Sequence, residues 1–490
     1  MRFLFVAYFI ALAELAIAQL PFCGTSSSDQ QRMLDDVQFQ AGAGRGDQGT
    51  VYIPLKVHSL TNDGSSSHFA AWSLFESLCT LNSDFLPSGI QFFLEEDINY
   101  IANTAWNHHP EYEQGEEMMI QNNVHGMANC YIVSDPAGNC GYFTYAGDGV
   151  ALNKSCLGKN SHTWAHELGH FFSLPHTFFG WEGINYSNGK KTSEYQSRVF
   201  TQIENKERVR CRQQADQFCD TYPDYISNRW TCNADGFGQI IMRDLFDSTF
   251  RADGSLFMSY SNDVCMSRFS DEQMGAMHQS IDGSRFELQR PDIIPRSLGA
   301  DTVNLVFPGE GQTVEGKKLQ LKWDEVTGAR YYVLQISRTS NFSVVVKNLL
   351  LYTNSAIIDS LTPGKDFWWR VRAYNEFYFC GIQSSAGTFS TEGIPVSVGD
   401  HGDVFHRLNV SPNPVASGSY LQILLDDRHL NTGPTELIDL QGNVFAKMSP
   451  FWQGEACYIQ IPPAAKGMYI LRVKTSSGPT QIKLIVNNNQ

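Results

Sequence analysis

The feature that most constrains this chain is the stretch His166-Glu-Leu-Gly-His170-Phe-Phe-Ser-Leu-Pro-His176. In helical geometry His166 and His170, four residues apart, stand one turn above the other on a single face. Two imidazoles at that spacing can share one Zn²⁺, with Glu167 beside them to handle protons. His176 cannot join from the same helix, because six residues is a rotation of about 600° and points it away from the pair. The helix must therefore stop near Ser173, and the chain must turn to return His176 to the metal. Pro175 supports the stop by disfavouring helical geometry at Leu174. Three neutral nitrogens leave a fourth position for water, the catalytic rather than the structural zinc arrangement. Trp164, Leu168 and Phe172 recur every four residues and are expected to face the core, leaving His166, Glu167 and His170 towards a cleft. Ser161 or Thr163 would cap the helix start. Of the 13 histidines only these three are expected to bind metal, with His162 a surface residue at the helix start.

The five-residue core also occurs in unrelated proteins as plain polar surface, and it is the third histidine that argues against that reading. With it, the stretch resembles the metzincin metalloproteases, whose pattern has glycine where this chain has Ser173. That glycine accommodates positive φ at the turn, a conformation serine adopts only at some cost.

At 490 residues the chain has room for about three domains. Met1-Arg2, an apolar run to Ile17 and the ending Ala16-Ile17-Ala18 read as a secretory signal peptide over residues 1–18. No later apolar run reaches the ~18 residues of a membrane span. A formal charge of −15, from 36 basic and 51 acidic residues, argues against nucleic acid or an anionic membrane as the main partner. The 11 cysteines suit an oxidising compartment, and their odd number leaves at least one thiol without an intrachain partner.

Residues 19–49 read as a short propeptide, polar and with little apolar periodicity, carrying Gly42, Gly44 and Gly46 around a candidate cleavage point at Arg45. Within it, Phe22-Cys23-Gly24-Thr25 holds a cysteine ahead of the catalytic stretch. A free thiolate is a strong zinc ligand, so Cys23 could fill the open coordination position and hold an enzyme latent, as Cys-Gly-Thr segments do in similar proenzymes. The alternative is an ordinary disulfide, for example to Cys79.

From Thr50 the pattern turns globular. Val51–Val57 and Ile90–Leu94 read as strands, and residues 68–85 carry apolar residues at helical spacing. Ala128–Val133, Gly141–Tyr145 and Gly149–Leu152 read as further strands. Strands and helices alternating ahead of the histidine helix indicate an α/β upper lobe. Beyond His176 the chain is rich in Gly, Asn, Cys and aromatics, as in a lower lobe built of loops. It contains Cys211-x7-Cys219-Asp220-Thr221-Tyr222-Pro223 preceded by Asp216, then Leu256-Phe-Met258-Ser-Tyr260, Cys265, and a helix at about 270–281 whose Ser270 and Gln273 have capping-box spacing.

Together these ordered motifs, over roughly residues 50–285, resemble the pappalysin (cytophagalysin) branch of the metzincins. Tyr222 before Pro223 departs from that family's Cys-Asp-Thr-Pro-like loop. The resemblance implies that Met258 forms an apolar floor beneath the zinc, and that Tyr260 lies near the metal as a catalytic hydrogen-bond donor to a developing oxyanion. Plain core packing is the alternative for both. With it go the preferred disulfides Cys211–Cys219 and Cys232–Cys265, and Cys130–Cys140. Asp216, Asp220 and Thr221 are candidate ligands of a structural Ca²⁺, as relatives use this loop, or else turn caps.

Residues 300–395 alternate in short runs separated by turn residues, among them Leu319–Trp323, Tyr331–Ile336 and Phe367–Ala373, and indicate a β-sandwich. The early tryptophan and the Trp-Arg-Val-Arg strand resemble a fibronectin type III module, which implies a spacer or else a substrate- or glycan-binding module. After a linker rich in Gly, Ser and Val (about 391–404), residues 404–490 read as a small antiparallel sandwich. Its Pro-Asn-Pro start (412–414), Asp-x-x-Gly turn (439–442) and Gly-x-Tyr-x-Leu-x-Val strand (467–473) resemble the C-terminal sorting domain of the type IX secretion system. That resemblance implies export by the type IX machinery across the outer membrane of a Bacteroidota-type bacterium, ending secreted or attached to the cell surface.

The expected fold is therefore α+β and multidomain: a metzincin-like α/β catalytic domain over 50–290, then two all-β sandwiches. The expected chemistry is peptide-bond hydrolysis by a zinc-activated water, with Glu167 as general base and then acid. Two rivals stand beside it, a non-catalytic surface adhesin on a protease-like scaffold and a zinc amidase acting on a non-protein amide.

Overall fold

The computed structural model describes residues 22–36, 49–191, 204–393, 408–425, 435–453, 456–475 and 478–487. The expected signal peptide, Arg45 with its flanking glycines, and nearly all of the expected linker lie outside the described residues. The chain forms two compact units, Met1–Pro395 and Val396–Gln490, and is mixed α+β with far more strand than helix.

In the first unit the element order is α1 (Ser27–Asp36), β1 (Val51–Thr61), α2 (Ala71–Phe85), β2 (Ile90–Phe93), β3 (Asn99–Ala102), α3 (Thr104–Asn107), β4 (His108–His109), α4 (Tyr112–Asn122), β5 (Ala128–Val133), β6 (Asp135–Pro136), β7 (Gly141–Thr144), β8 (Gly149–Asn153) and α5 (Thr163–Phe171). The main sheet has the order β2-β1-β5-β8-β7, with β3 pairing the second half of β1. All its pairings are parallel except that of β7, which runs antiparallel to β8 at the edge. The strands β1 and β5 are buried almost throughout, as a sheet covered on both faces requires. α2 begins at Ala71 rather than at His68 as the apolar spacing suggested. Its Phe85 packs edge-on to Phe92 and Phe172, so it braces the start of the sheet and the end of α5 at once.

Past His176 the described chain is mostly loop, with a two-residue hairpin, β9 (Met242–Arg243) and β10 (Thr249–Phe250), and one helix, α6 (Asp271–Asp282). Ser270 and Gln273 form the full reciprocal capping box at its start.

The sandwich follows with β11 (Leu305–Phe307), β12 (Gln312–Val314), β13 (Lys317–Trp323), β14 (Tyr331–Ser337), β15 (Val345–Leu351), β16 (Ser355–Ser360), β17 (Asp366–Tyr374), β18 (Ile382–Gln383) and β19 (Gly387–Thr391), as sheets β11-β13-β16 and β12-β19-β17-β14-β15 with β18 paired to β17. Alternation along β13 buries Leu319, Leu321 and Trp323, whereas every residue of β14 is buried. The difference has a cause: α2 covers the outer face of the β14–β17 sheet. Phe75 stacks on Tyr374 at 4.1 Å, Trp72 lies between the guanidinium groups of Arg370 and Arg372 at 4.0 and 4.1 Å, and Cys79 is bonded to Cys380. The module is thus packed on the α/β part and cross-linked to it.

The second unit packs a four-stranded on a five-stranded sheet around Leu421, Ile423, Ile459, Leu471, Val473 and Leu484. No helix among the described residues is long and apolar enough to cross a membrane.

Four disulfides form: Cys79–Cys380, Cys140–Cys156, Cys211–Cys219 and Cys232–Cys265. The expected Cys130–Cys140 pair does not. Cys130 lies on β5 and Cys140 just ahead of β7, with β8 between them, so two strand spacings of ~4.8 Å separate positions that a disulfide needs within ~7 Å. Cys130 remains a buried free thiol that accepts a hydrogen bond from Trp164 Nε1 at 3.3 Å. Cys79, the partner considered for Cys23, is taken by Cys380, and Cys23 is free.

Candidate metal centre

All nine residues of α5 are buried. Its start is fixed by His162, the residue expected at the surface: the ring is only partly exposed and its Nδ1 meets Asp84 Oδ2 of α2 at 2.8 Å. Its end is a Schellman closure, in which Leu174 N–H donates to Gly169 O at 3.0 Å and Ser173 N–H to His170 O at 2.9 Å. That closure needs a left-handed residue, and Ser173 adopts φ 69° where glycine would do so without strain. The turn reverses the chain through Leu174 and Pro175 and delivers His176 back to the helix.

Three imidazoles meet there. His176 Nε2 lies 3.2 Å from His166 Nε2 and 3.1 Å from His170 Nε2. His166 Nδ1 is 2.7 Å from Phe257 O, and His170 Nδ1 is 2.7 Å from Leu174 O. Carbonyls only accept, so each Nδ1 carries the proton and each Nε2 presents a lone pair. Burial pushes both pKa values well below the usual imidazole range, and lowers that of His176 to about 3. Two such lone pairs, with the Nε2 of a neutral His176 beside them, converge on one point that a cation would fill. A tetrahedral Zn²⁺ with Zn–N of ~2.05 Å spaces its nitrogens about 3.3 Å apart, and a nitrogen from a sulfur ligand about 3.5 Å. Cys23 Sγ is 3.5 Å from His170 Nε2, and the four ligand atoms of Cys23, His166, His170 and His176 all lie within 4.8 Å of one another. The donor set fits zinc.

Glu167 is wholly buried, and burial raises its pKa to about 8. Its Oε2 accepts from Cys23 Sγ and Thr25 Oγ1, each at 3.4 Å, while Oε1 has no hydrogen-bond partner. The groups on Glu167 thus come from the N-terminal segment, which runs along the sheet edge as an added piece of strand. Cys23 bridges Gly141 in parallel, Gly24 N–H donates to Gly141 O at 2.8 Å, and Phe143 N–H donates to Thr25 Oγ1 at 2.9 Å. Gln30 on α1, wholly buried, accepts from His176 N–H at 3.1 Å and donates to Thr25 O. Thr25 and Gln30 carried no signal in the sequence, since neither spacing nor residue type marks them.

Met258 is fully buried, and a Cβ placed on Gly169 would overlap its sulfur, so the thioether packs directly against the helix backbone between His166 and His170. The Tyr260 ring lies 4.9 Å from that of His176, and its hydroxyl donates to the Cys23 carbonyl at 3.0 Å. Asp224, fully buried and also unmarked in the sequence, accepts from Thr177 Oγ1 at 3.0 Å and Ser259 Oγ at 2.8 Å. It ties the turn carrying His176 to the loop carrying Met258.

Of the candidate calcium ligands the structure brings only two together. Asp216 Oδ1 accepts from Thr221 Oγ1 at 3.2 Å and from Phe218 N–H, while its buried Oδ2 has no partner. Asp220 instead serves the start of α6, accepting from Ser270 Oγ at 2.7 Å and Glu272 N–H at 2.8 Å. A residue the sequence reading missed, Glu204, is buried with both carboxylate oxygens unpartnered. Burial, then the charge of Asp216, raises its pKa to about 9, and burial pushes Asp216 well above the carboxylate range.

No family model matches the chain. An extracellular metalloprotease of Colletotrichum graminicola is 26% identical over 155 residues, which cover 27% of this chain and 53% of that protein. A second from the same fungus is 24% identical over 296 residues, 55% of this chain and 92% of that protein, and one from Sordaria macrospora is 25% identical over 188 residues, 33% and 65%. The chain thus spans about half to two thirds of the length of two of these relatives and most of the third. Among solved structures, fibronectin(III)-like modules of Clostridium thermocellum CbhA match at 12% identity and TM-score 0.15, covering 38% of this chain and 95% of theirs. The fn3 domain of human collagen alpha-1(XX) matches at 17% identity and TM-score 0.17, covering 21% and 93%. Likenesses at such scores carry no weight for the fold. What the comparisons give is a set of fungal extracellular metalloproteases as homologues of this chain at low identity.

Proposed function

We propose that this protein is a secreted zinc endopeptidase of pappalysin type, held latent by its own N-terminal segment. The observation that carries the reading is the convergence of three neutral imidazole nitrogens beside a buried carboxylate. His166, His170 and His176 would hold the zinc, with Cys23 as fourth ligand in the latent chain. Zinc in such a site polarises a carbonyl and acidifies a coordinated water to a pKa near 7. Glu167 takes a proton from the attacking water and passes it to the leaving amine. Tyr260, whose hydroxyl now holds the carbonyl of Cys23, donates to the oxygen of the peptide bond under attack. Met258 supports the helix from below. The homologues' extracellular metalloprotease names agree with this reading.

The remaining parts are assigned as follows: signal peptide 1–18, propeptide 19–49, protease domain 50–290, fibronectin-like sandwich 300–395, and a sorting domain 404–490 read by type IX machinery in a Bacteroidota-type bacterium. Glu204, Asp216 and Thr221 would hold a Ca²⁺, whose preference for carboxylate oxygens suits the three buried unpartnered ones of Glu204 and Asp216.

Glu167→Gln tests the reading, because it keeps shape and removes the proton carrier. Zinc content should stay at one per chain while casein or gelatin hydrolysis falls 10²- to 10⁴-fold. A zinc-loaded, activated wild type that cleaves no protein but splits small amides would make it an amidase, and one that does neither would make it a binding protein.

A further inference from the structure

The N-terminal segment lies along the edge strand β7 and over the three imidazoles, so its side chains occupy the space beside them. Cys23 points at the imidazoles, and its carbonyl is held by Tyr260. The residue beside it, Phe22, is 3% exposed and enters a pocket with three distinct walls. The His166 ring meets it edge-on at 4.8 Å, the Tyr260 ring edge-on at 5.4 Å, and the guanidinium carbon of Arg229 stands 3.9 Å over its face. Two of these walls belong to the centre already described, and Arg229 is the third.

Arg229 is built to stay in place. Its Nη2 donates to Asp263 Oδ2 at 2.9 Å and its Nη1 to Ser261 O, and Asp263 is itself fixed by accepting from His162 N–H at the start of α5. Asp263 and the Ser261 carbonyl occupy donors at the guanidinium edge and offset part of its charge, so the site offers little to an anionic side chain. What it presents to the cleft is a flat cationic face, which aromatic rings prefer over aliphatic groups of similar size.

We propose that Arg229 is a specificity-determining residue: with the edges of His166 and Tyr260, its guanidinium face forms a subsite for an aromatic side chain of a peptide substrate, next to the residue presented to the imidazoles, and Phe22 fills that subsite in the intact chain. The inference rests on the endopeptidase reading above and adds to it the class of side chain selected.

Two measurements on the full chain test it. The first needs no activity: the rate of Cys23 alkylation by iodoacetamide, followed by peptide mass mapping. Phe22→Leu and Arg229→Met should each speed labelling by about tenfold, the factor a buried cation–ring contact supplies, and Phe22→Tyr should leave it near the wild-type rate. Labelling of Phe22→Leu as slow as wild type would overturn the proposal, because any apolar side chain would then serve. The second uses the Phe22→Ala/Cys23→Ala double variant, loaded with zinc, against a peptide library randomised on both sides of the cleaved bond. Phe, Tyr and Trp should be selected over Leu at one position. Adding Arg229→Met should cut that ratio about tenfold, and Arg229→Lys, which keeps the charge without the flat face, should cut it partly. Cleavage with no aromatic preference overturns the subsite and leaves the endopeptidase reading standing. No cleavage of any sequence by the zinc-loaded double variant overturns both.

Discussion

The pair Glu204 and Asp216 makes a prediction whose sign and size follow from burial. Both carboxyl groups sit away from water with unpartnered oxygens, and the pKa of Glu204 is raised from 4.5 to about 9, with Asp216 also well above its usual value. A carboxyl whose folded pKa exceeds its unfolded one contributes its stability fully below the unfolded pKa and loses it as pH rises towards the folded value. In the absence of a cation, Glu204 alone therefore costs little at pH 5 and on the order of 3–5 kcal/mol at pH 8, at ~1.4 kcal/mol per pH unit crossed. A Ca²⁺ held by the pair keeps both groups ionised in the fold and removes that penalty. Thermal unfolding should be followed from pH 5 to 8.5 in buffer freed of calcium over chelating resin, with zinc restored, and again with millimolar calcium. The calcium-free chain should lose stability steadily as pH rises. Calcium should raise Tm by roughly 4–6 °C at pH 8 and by little at pH 5. Glu204→Gln should invert the comparison, being more stable than wild type without calcium at pH 8 and indifferent to its addition. Equal Tm with and without calcium at pH 8, or a shift as large at pH 5, refutes the assignment.

Four further outcomes are expected. Gly141→Ala places a Cβ 2.8 Å from Glu167 Cγ and 3.1 Å from Ala151 O, so the carboxylate must move; hydrolysis should fall at least ~100-fold while zinc content and circular dichroism hold. Cys23→Ala should cleave casein without prior processing, and unchanged latency would return Cys23 to a structural role. Asp224→Ala strands two buried hydroxyls and should cost about 2–4 kcal/mol in urea unfolding, with zinc lost at lower chelator concentration. Cys380→Ser opens a cross-link of sequence separation 301 and should lower the stability of the first unit by about 2–5 kcal/mol, read as a drop in Tm of the full chain.

How much of this could be read from the sequence depended on whether the information was local. The return of His176 follows from helix geometry and a proline within eleven residues, and the left-handed Ser173 is the same turn seen at the backbone. The capping box of α6 is equally local. Alternation showed the strands of the sandwich, but not that α2 covers one of its faces, because a fully apolar strand looks the same whichever element packs on it. The Cys130–Cys140 pair expected alongside the resemblance was ruled out by sheet order, which no local feature records. Glu204, Gln30, Asp224 and Arg229 were invisible for one reason: each acts through a partner brought near by the fold, and nothing in the residue itself records that partner.

The position of α2 gives the sandwich a consequence for the site. α2 carries Asp84 at its end, which meets the ring of His162 and so fixes where α5 begins. One turn back, Thr80 accepts from Asn160 N–H at 3.1 Å on the approach to the same helix, and Phe85 packs on Phe172 at its exit. The opposite side of α2 is occupied by the sandwich through Trp72, Phe75 and Cys79. A helix gripped on both sides has little room to shift, and imidazoles that must converge to within a few tenths of an ångström depend on α5 staying put. The sandwich is therefore better understood as the outer support of the metal centre than as a spacer: its strands hold α2, α2 holds the start and end of α5, and α5 holds two of the three nitrogens.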